Sequence, residues 1–216
     1  EKYFDKMSEI TGREYKLFNY YGDPDATDVI VAMGSVSGAI QQTVDTLRAD
    51  GQKIGFIQVH LYRPFSEKHL LEALPDTTQR IAVLDRCKNM GSLGEPLYED
   101  ICTTMLKADK KDIRIIGGRY GLSSKDTTPG QIAAVYENLA ADKPIEGFTI
   151  GINDDVTHKS LTVKPFSIIG DDFVSCKFWG LELCLGKFLL LHGGVLAVVL
   201  QVLVSVLRRH EAQRHV

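Results

Sequence analysis

The chain has 216 residues, a formal net charge of −3 and a hydrophobic fraction of 44%. That length holds one or two ordinary domains and buries a core without disulfide support. The charge leaves no electrostatic footprint for nucleic acid, and the four cysteines (Cys87, Cys102, Cys176, Cys184) form no C-x-x-C pair.

The opening stretch, "EKYFDKMSEITGREYK", is charged and amphipathic and lacks the pattern of a targeting peptide. It reads as the tail of a helix that belongs to a larger protein. Residues 1–24 are therefore expected to be a helical lead-in from a domain outside this chain. "DVIVAMG" (Asp28 to Gly34) is the first strand-like apolar run, followed by Val36, Ile40, Val44 and Leu47 at helical spacing, with Gly51 as the stop. "KIGFIQVHL" is a second strand, closed by Arg63-Pro64. Ser66 is placed to cap a helix carrying Leu70, Leu71 and Leu74. "RIAVLD" is a third strand, and Glu95-Pro96 opens a helix lined by Leu97, Ile101 and Met105. "DIRIIGG" is a fourth strand, Thr128-Pro129 opens a helix with Ile132, Val135, Tyr136 and Leu139, and "GFTIGI" is a fifth strand.

Strands alternating with helices imply right-handed crossovers and a mostly parallel, doubly wound sheet. The strands are nearly continuous apolar runs, as burial on both faces demands. The expectation is an α/β domain over residues 25–153.

Ligands of such sheets bind outside the carboxyl ends of the strands, which singles out four loops. "GSVSG" (Gly34 to Gly38) offers backbone N–H groups to a phosphate, but G-x-G-x-x-G is absent, and close helix–strand packing is the favoured reading. "HLYRPFS" presents His60, a base or ligand in one reading and a satisfied structural group in the other, while His69 is placed on a solvated helix face. "DRCKNMGSLGEP" sets Cys87 between Arg86 and Lys88, which would lower its pKa, although a plain thiol is the favoured reading. Gly91 and Gly94 suggest a loop whose backbone is closely approached. "GGRYGLSSKDTTPGQ" (Gly117 to Gln131) crowds glycines, Arg119, Tyr120, Lys125 and Asp126 before a helix start. It reads equally as a capped glycine-rich turn and as a loop docked on another domain or near an anionic substrate.

"YGDPDATDVIVAMGSVSGAIQQTVD", "VHLYRPFS", "IAVLDRCKNMGSLGEPLYEDI", "IIGGRYGLSSKDTTPGQI" and "FTIGINDDVTHKSL" closely resemble the pyruvate:ferredoxin (flavodoxin) oxidoreductase family, through "SCKFWGL" and about residue 181. The resemblance implies the family's domain similar to the transketolase C-terminal domain, with 154–181 as a linker and "DDFVSCKFWGL" as the first strand of the next domain. It implies oxidative decarboxylation of pyruvate to acetyl-CoA, with electrons passing to ferredoxin or flavodoxin. For the full enzyme it implies thiamine diphosphate, [4Fe-4S] clusters, coenzyme A, a homodimer and a cytoplasmic location. A related 2-oxoacid oxidoreductase and a non-enzymatic α/β interaction domain are the alternatives. Four scattered cysteines do not supply a cluster-binding run. The expectation is therefore that this chain alone binds none of these cofactors, carries no catalytic or metal residue and is inactive by itself. Arg119, Tyr120, Lys125 and Asp126 are its interdomain-contact candidates, and the remaining domains of the oxidoreductase are its partners.

Beyond Leu181 the resemblance stops. Residues 182–216 form an unmatched apolar tail, in which Phe188 to Leu207 has the length of a bilayer span and basic Arg208-Arg209 after it. His192, Gly193, Gly194 and Gln201 weaken that pattern, and the family has no span. A frameshifted, intronic, rearranged or degenerate reading is preferred over a buried helix or a true span, and no membrane association is expected.

Overall fold

The computed structural model describes residues 1–152, 156–168, 174–176 and 188–190. Two compact units divide the chain, Glu1–Ile168 and Ile169–Val216. The first begins with helix α1 (Lys2–Thr11) and strand β1 (Phe18–Gly22). Four strand–helix pairs follow: β2 (Asp28–Met33) with α2 (Ser37–Ala49), β3 (Ile54–Val59) with α3 (Glu67–Ala73), β4 (Arg80–Asp85) with α4 (Pro96–Lys107), and β5 (Arg114–Arg119) with α5 (Pro129–Ala140). The short β6 (Phe148–Thr149) ends the sheet.

The sheet has six strands in the order β1-β3-β2-β4-β5-β6. β1 runs antiparallel to β3, and the other pairings are parallel. The fold is α/β, with a mostly parallel, doubly wound sheet. Side chains alternate along β2: Val29 and Val31 enter one apolar layer with α3 and α4, while Ile30 and Ala32 enter the other with α2 and α5. This two-sided burial is why the strand reads as an unbroken apolar run. Asp28 and Arg80, register partners on β2 and β4, pair at the amino end of the sheet, with the second contact from Arg80 Nη2 to Asp28 Oδ2 at 2.8 Å. Burial still pushes the Asp28 carboxyl above its ordinary range, with Arg80 opposing it.

Two features depart from the expected plan. Residues 18–22, placed within a helical lead-in on sequence, form edge strand β1, while α1 itself buries no residue. The right-handed rule also does not cover every crossover. The steps β4-α4-β5 and β5-α5-β6 run in the same direction along the sheet, yet α4 packs on one face and α5 on the other. The last connection therefore has the opposite hand to β2-α2-β3, β3-α3-β4 and β4-α4-β5. The physical reason lies in where α5 docks. It crosses back over β4 and β2 to lie beside α2, and the Tyr136 hydroxyl donates to the Gly55 carbonyl on β3 at 2.9 Å. After β6, residues 156–168 return along α5, where Val163 and Phe166 close over Gly130.

In the second unit, β7 (Val174–Cys176) and β8 (Phe188–Leu190) pair antiparallel. β7 falls within the stretch expected to begin a following domain, and β8 opens the apolar run read as a possible span. The rest of that run and Cys184 lie outside the described residues. Among the described residues no helix is long and apolar enough to cross a membrane.

Candidate functional site

The carboxyl ends of β2, β4 and β5 converge at the point where the chain turns to opposite sides of the sheet, the position where such folds place their ligands. Here the structure fills that position with the chain's own groups. The Asp85 carboxylate, at the end of β4, accepts from the backbone N–H groups of Leu97 (3.1 Å) and Tyr98 (3.2 Å). These are among the orphan donors of the α4 N-terminus, so a built-in anion already occupies the place an external anion would take. Burial pushes the Asp85 carboxyl up, with the two N–H groups opposing that shift.

Arg119 closes β5. Its Nε donates to Glu95 Oε1 at 2.5 Å and Nη1 donates to the Gly147 carbonyl at 3.3 Å. Glu95 is the residue just before α4, so the guanidinium ties the start of that helix to the approach to β6. Tyr120 is 2% exposed, and its hydroxyl donates to the Met33 carbonyl at 2.6 Å. Arg86 Nη1 donates to Ser35 Oγ at 3.0 Å and its side chain lies over Gly121. Of the four contact candidates, Arg119 and Tyr120 thus face inward, whereas Lys125 and Asp126 are exposed.

Gly117 and Gly118 lie within β5, as the strand reading of "DIRIIGG" expects, although they also begin the Gly117 to Gln131 stretch. A Cβ on Gly117 would stand 3.0 Å from the Tyr98 ring, and one on Gly118 would stand 2.2 Å from the Phe148 ring. The close approach these glycines permit is therefore made by the chain's own aromatics. The turn after β5 is tight: Gly121 has φ 61° and Ser123 and Ser124 have φ 54° and 55°. Thr128 then starts α5 with a full capping box, the Thr128 hydroxyl accepting from Gln131 N–H and Gln131 Oε1 accepting from Thr128 N–H.

The other loops yield less chemistry than their sequences offer. Gly34 needs its glycine for φ 82°, whereas a Cβ at Gly38 would meet nothing within 4 Å, so close helix–strand packing does not explain the second glycine. Cys87 has basic sequence neighbours but acidic spatial ones. Burial, then Asp85 and Glu95, raise its pKa against the pull of Arg119, the reverse of activation. His60 packs edge-on against Tyr15 and Phe4, and burial lowers its pKa. Ser66 makes no cap bond; its Oγ meets His69 Nδ1 at 2.6 Å, and His69 Nε2 meets Glu1 Oε1 at 2.6 Å. His69 is therefore a link between α3 and the start of α1 rather than a solvated side chain. Gly94 is approached by the Tyr98 ring, and the loop before it exposes Met90 (84%) and Leu93 (104%), which sequence reasoning passed over. Among the described residues no group of three or more His, Cys, Asp or Glu side chains is arranged to hold a metal ion.

Residues 26–132 match the family described as pyruvate:ferredoxin oxidoreductase core domain II. The chain is 52% identical over 183 residues to the pyruvate-flavodoxin oxidoreductase of Enterobacter agglomerans, covering 84% of this chain and 16% of that protein. It is 51% identical over 178 residues to the pyruvate:ferredoxin oxidoreductase of Moorella thermoacetica, covering 82% and 15% respectively. The chain thus spans about a sixth of the length of these curated relatives. Among solved structures, a split gene transketolase, an inactive beta4 tetramer, aligns with a TM-score of 0.39 at 15% identity, over 59% of this chain and 40% of that one.

Proposed function

We propose, from the premise that this chain belongs to the pyruvate:ferredoxin oxidoreductase family through its core domain II, that it serves as a scaffold and interface domain of such an enzyme. The enzyme would oxidatively decarboxylate pyruvate to acetyl-CoA and pass electrons to ferredoxin or flavodoxin, acting in the cytoplasm as a homodimer. Thiamine diphosphate would supply carbanion stabilisation there and iron–sulfur clusters the one-electron steps. Among the described residues no three His, Cys, Asp or Glu side chains come together to hold a metal ion.

One observation carries the scaffold reading: the polar groups at the carboxyl edge of the sheet satisfy one another. Asp85 holds α4, Arg119 holds Glu95, Tyr120 holds Met33 and Arg86 holds Ser35. None of these four contacts joins a nucleophile to a base, the pairing by which a reactive centre is recognised; they are spent on rigidity. In this reading Arg119 and Tyr120 brace the loop from behind, and Lys125 and Asp126 make the contact with a neighbouring domain. We place the domain over residues 25–153, extended at its start by β1, with 154–181 leading into the following domain.

The corresponding domain can be deleted from the Enterobacter agglomerans relative and this chain supplied in its place as a separate polypeptide. Restored pyruvate-dependent viologen reduction is the expected result, weakened by Lys125→Ala with Asp126→Ala through lower association. A folded chain that does not co-purify with the deleted enzyme overturns the reading.

A further inference from the structure

Strand β1 borders the sheet and pairs only with β3. The Leu17 carbonyl accepts from His60 N–H at 3.0 Å, and Asp23 N–H donates to the Ile54 carbonyl at 3.0 Å. Antiparallel ladders alternate, so Leu17, Asn19, Tyr21 and Asp23 turn their backbone groups toward β3. Phe18, Tyr20 and Gly22 turn theirs outward, where no strand among the described residues takes them. An open edge is a template for one more strand.

A cavity of about 750 Å³ lies along this edge, between α1, the chain from Glu14 to Tyr20 and the end of α3. Phe4, Tyr15, Leu17 and Leu74 give it apolar walls. Its rim carries four carboxylates, Glu1, Asp5, Glu14 and Glu72, against Lys16 and His69. Both of these basic groups are engaged inside the rim, Lys16 with Glu14 at 2.6 Å and His69 with Glu1 at 2.6 Å. Lys68 stands 3.7 Å from Glu72. Three of the four rim carboxylates thus have a basic group beside them, and Asp5 adds a further negative charge at the groove.

We propose that this groove receives an extended, basic segment from the rest of the oxidoreductase, added to β1 as a further strand. The outward N–H and C=O groups call for an extended backbone, the apolar walls take its alternate side chains, and the acidic rim selects lysine or arginine between them. The source follows from the functional reading above, on which the inference rests, and from the relatives' length, of which this chain spans only 16%.

The probe is a set of short overlapping peptides tiling the rest of the Enterobacter agglomerans relative, added to the full chain. Amide exchange is then read residue by residue. One basic tile should slow exchange at Phe18, Tyr20 and Gly22 by roughly tenfold or more while β2 amides stay unchanged. Asp5→Lys with Glu72→Lys should weaken that tile by roughly tenfold, and proline at a pairing position of the tile should abolish the slowing. The inference fails if no tile slows these amides, or if a proline-bearing tile slows them equally. It fails too if they slow with chain concentration alone, which would put a second copy of this chain on the edge. Restored activity in the replacement experiment with these amides still fast sinks this inference and leaves the functional reading standing. Failure to co-purify there, with a basic tile slowing the edge, sinks that reading and the assigned source together.

Discussion

Replacing Arg119 by alanine should destabilise the chain on its own, before any other domain is present. The Glu95 side chain is 8% exposed and that of Arg119 is 20% exposed, and the two meet at 2.5 Å. Truncation strands a nearly buried carboxylate and frees the Gly147 carbonyl that Nη1 reaches at 3.3 Å. Breaking a fully buried pair costs about 3–5 kcal/mol. Solvent at the guanidinium and the positive end of α4 beside Glu95 soften the loss, giving about 2–3 kcal/mol. For a unit of this size each kcal/mol moves the melting temperature by about 2–4 °C, so the expected fall is roughly 5–10 °C. Thermal and urea unfolding of the chain measure it, with Glu95→Gln and the double variant completing a cycle. The double variant should be more stable than Arg119→Ala alone, because no charge is left stranded. The reasoning is refuted if Arg119→Ala melts within about 1 °C of the parent chain yet binds the remaining enzyme poorly. The guanidinium would then act across a domain boundary and its pairing with Glu95 would be incidental.

Gly118→Ala should prevent stable folding, since its Cβ would lie 2.2 Å from the Phe148 ring, and Phe148→Leu in the same chain should restore part of the lost melting temperature. Asp28 and Asp85 both have carboxyl pKa values raised chiefly by burial. Their contribution to stability is full below the ordinary carboxylate pKa of 3.8 and is lost as pH climbs through the raised folded values. Urea midpoints across that window should show a component that falls with rising pH, and Asp85→Asn should flatten it; an unchanged slope would show that Asp85 is not its source. Cys87 should react with iodoacetamide more slowly at neutral pH than an ordinary exposed thiol, with its rate rising at higher pH, followed by mass spectrometry of its own peptide. A fast, pH-independent reaction would mean that Arg119 outweighs Asp85 and Glu95.

How much of this was legible beforehand depended on the distance between partners. The apolar run of β2, the helical spacing of Val36, Ile40, Val44 and Leu47, and the Thr128-Pro129 start of α5 are signals carried within a few residues, and each marks an element in the structure. β1 was not legible: "FNYYG" mixes polar and aromatic residues, and what makes it a strand is β3, more than thirty residues away. The same separation hid the site. Nothing near Gly117 and Gly118 in the sequence shows that Tyr98 and Phe148 pack over them. Cys87 looks activated beside Arg86 and Lys88 until the fold sets it against Asp85 and Glu95. Arg119 looks available until Glu95, twenty-four positions earlier, takes it.

The opposite hand of the β5-α5-β6 connection bears on the order in which the chain folds. Three like-handed units make a sheet from β3 through β5 that is complete in itself, and β1 joins it on the side away from β6. α5 then settles across β4 and β2, beside α2, and only afterwards does the chain return past β5 to lay down two residues of β6. That last strand is held through Gly118 and Arg119 on one side and a bridge from Thr149 to Ser160 on the other. Because the strands and the helix it joins must be in place first, β6 is expected to be the last strand to pair, which pulsed amide exchange at Ile150, whose N–H donates to the Arg119 carbonyl, would read.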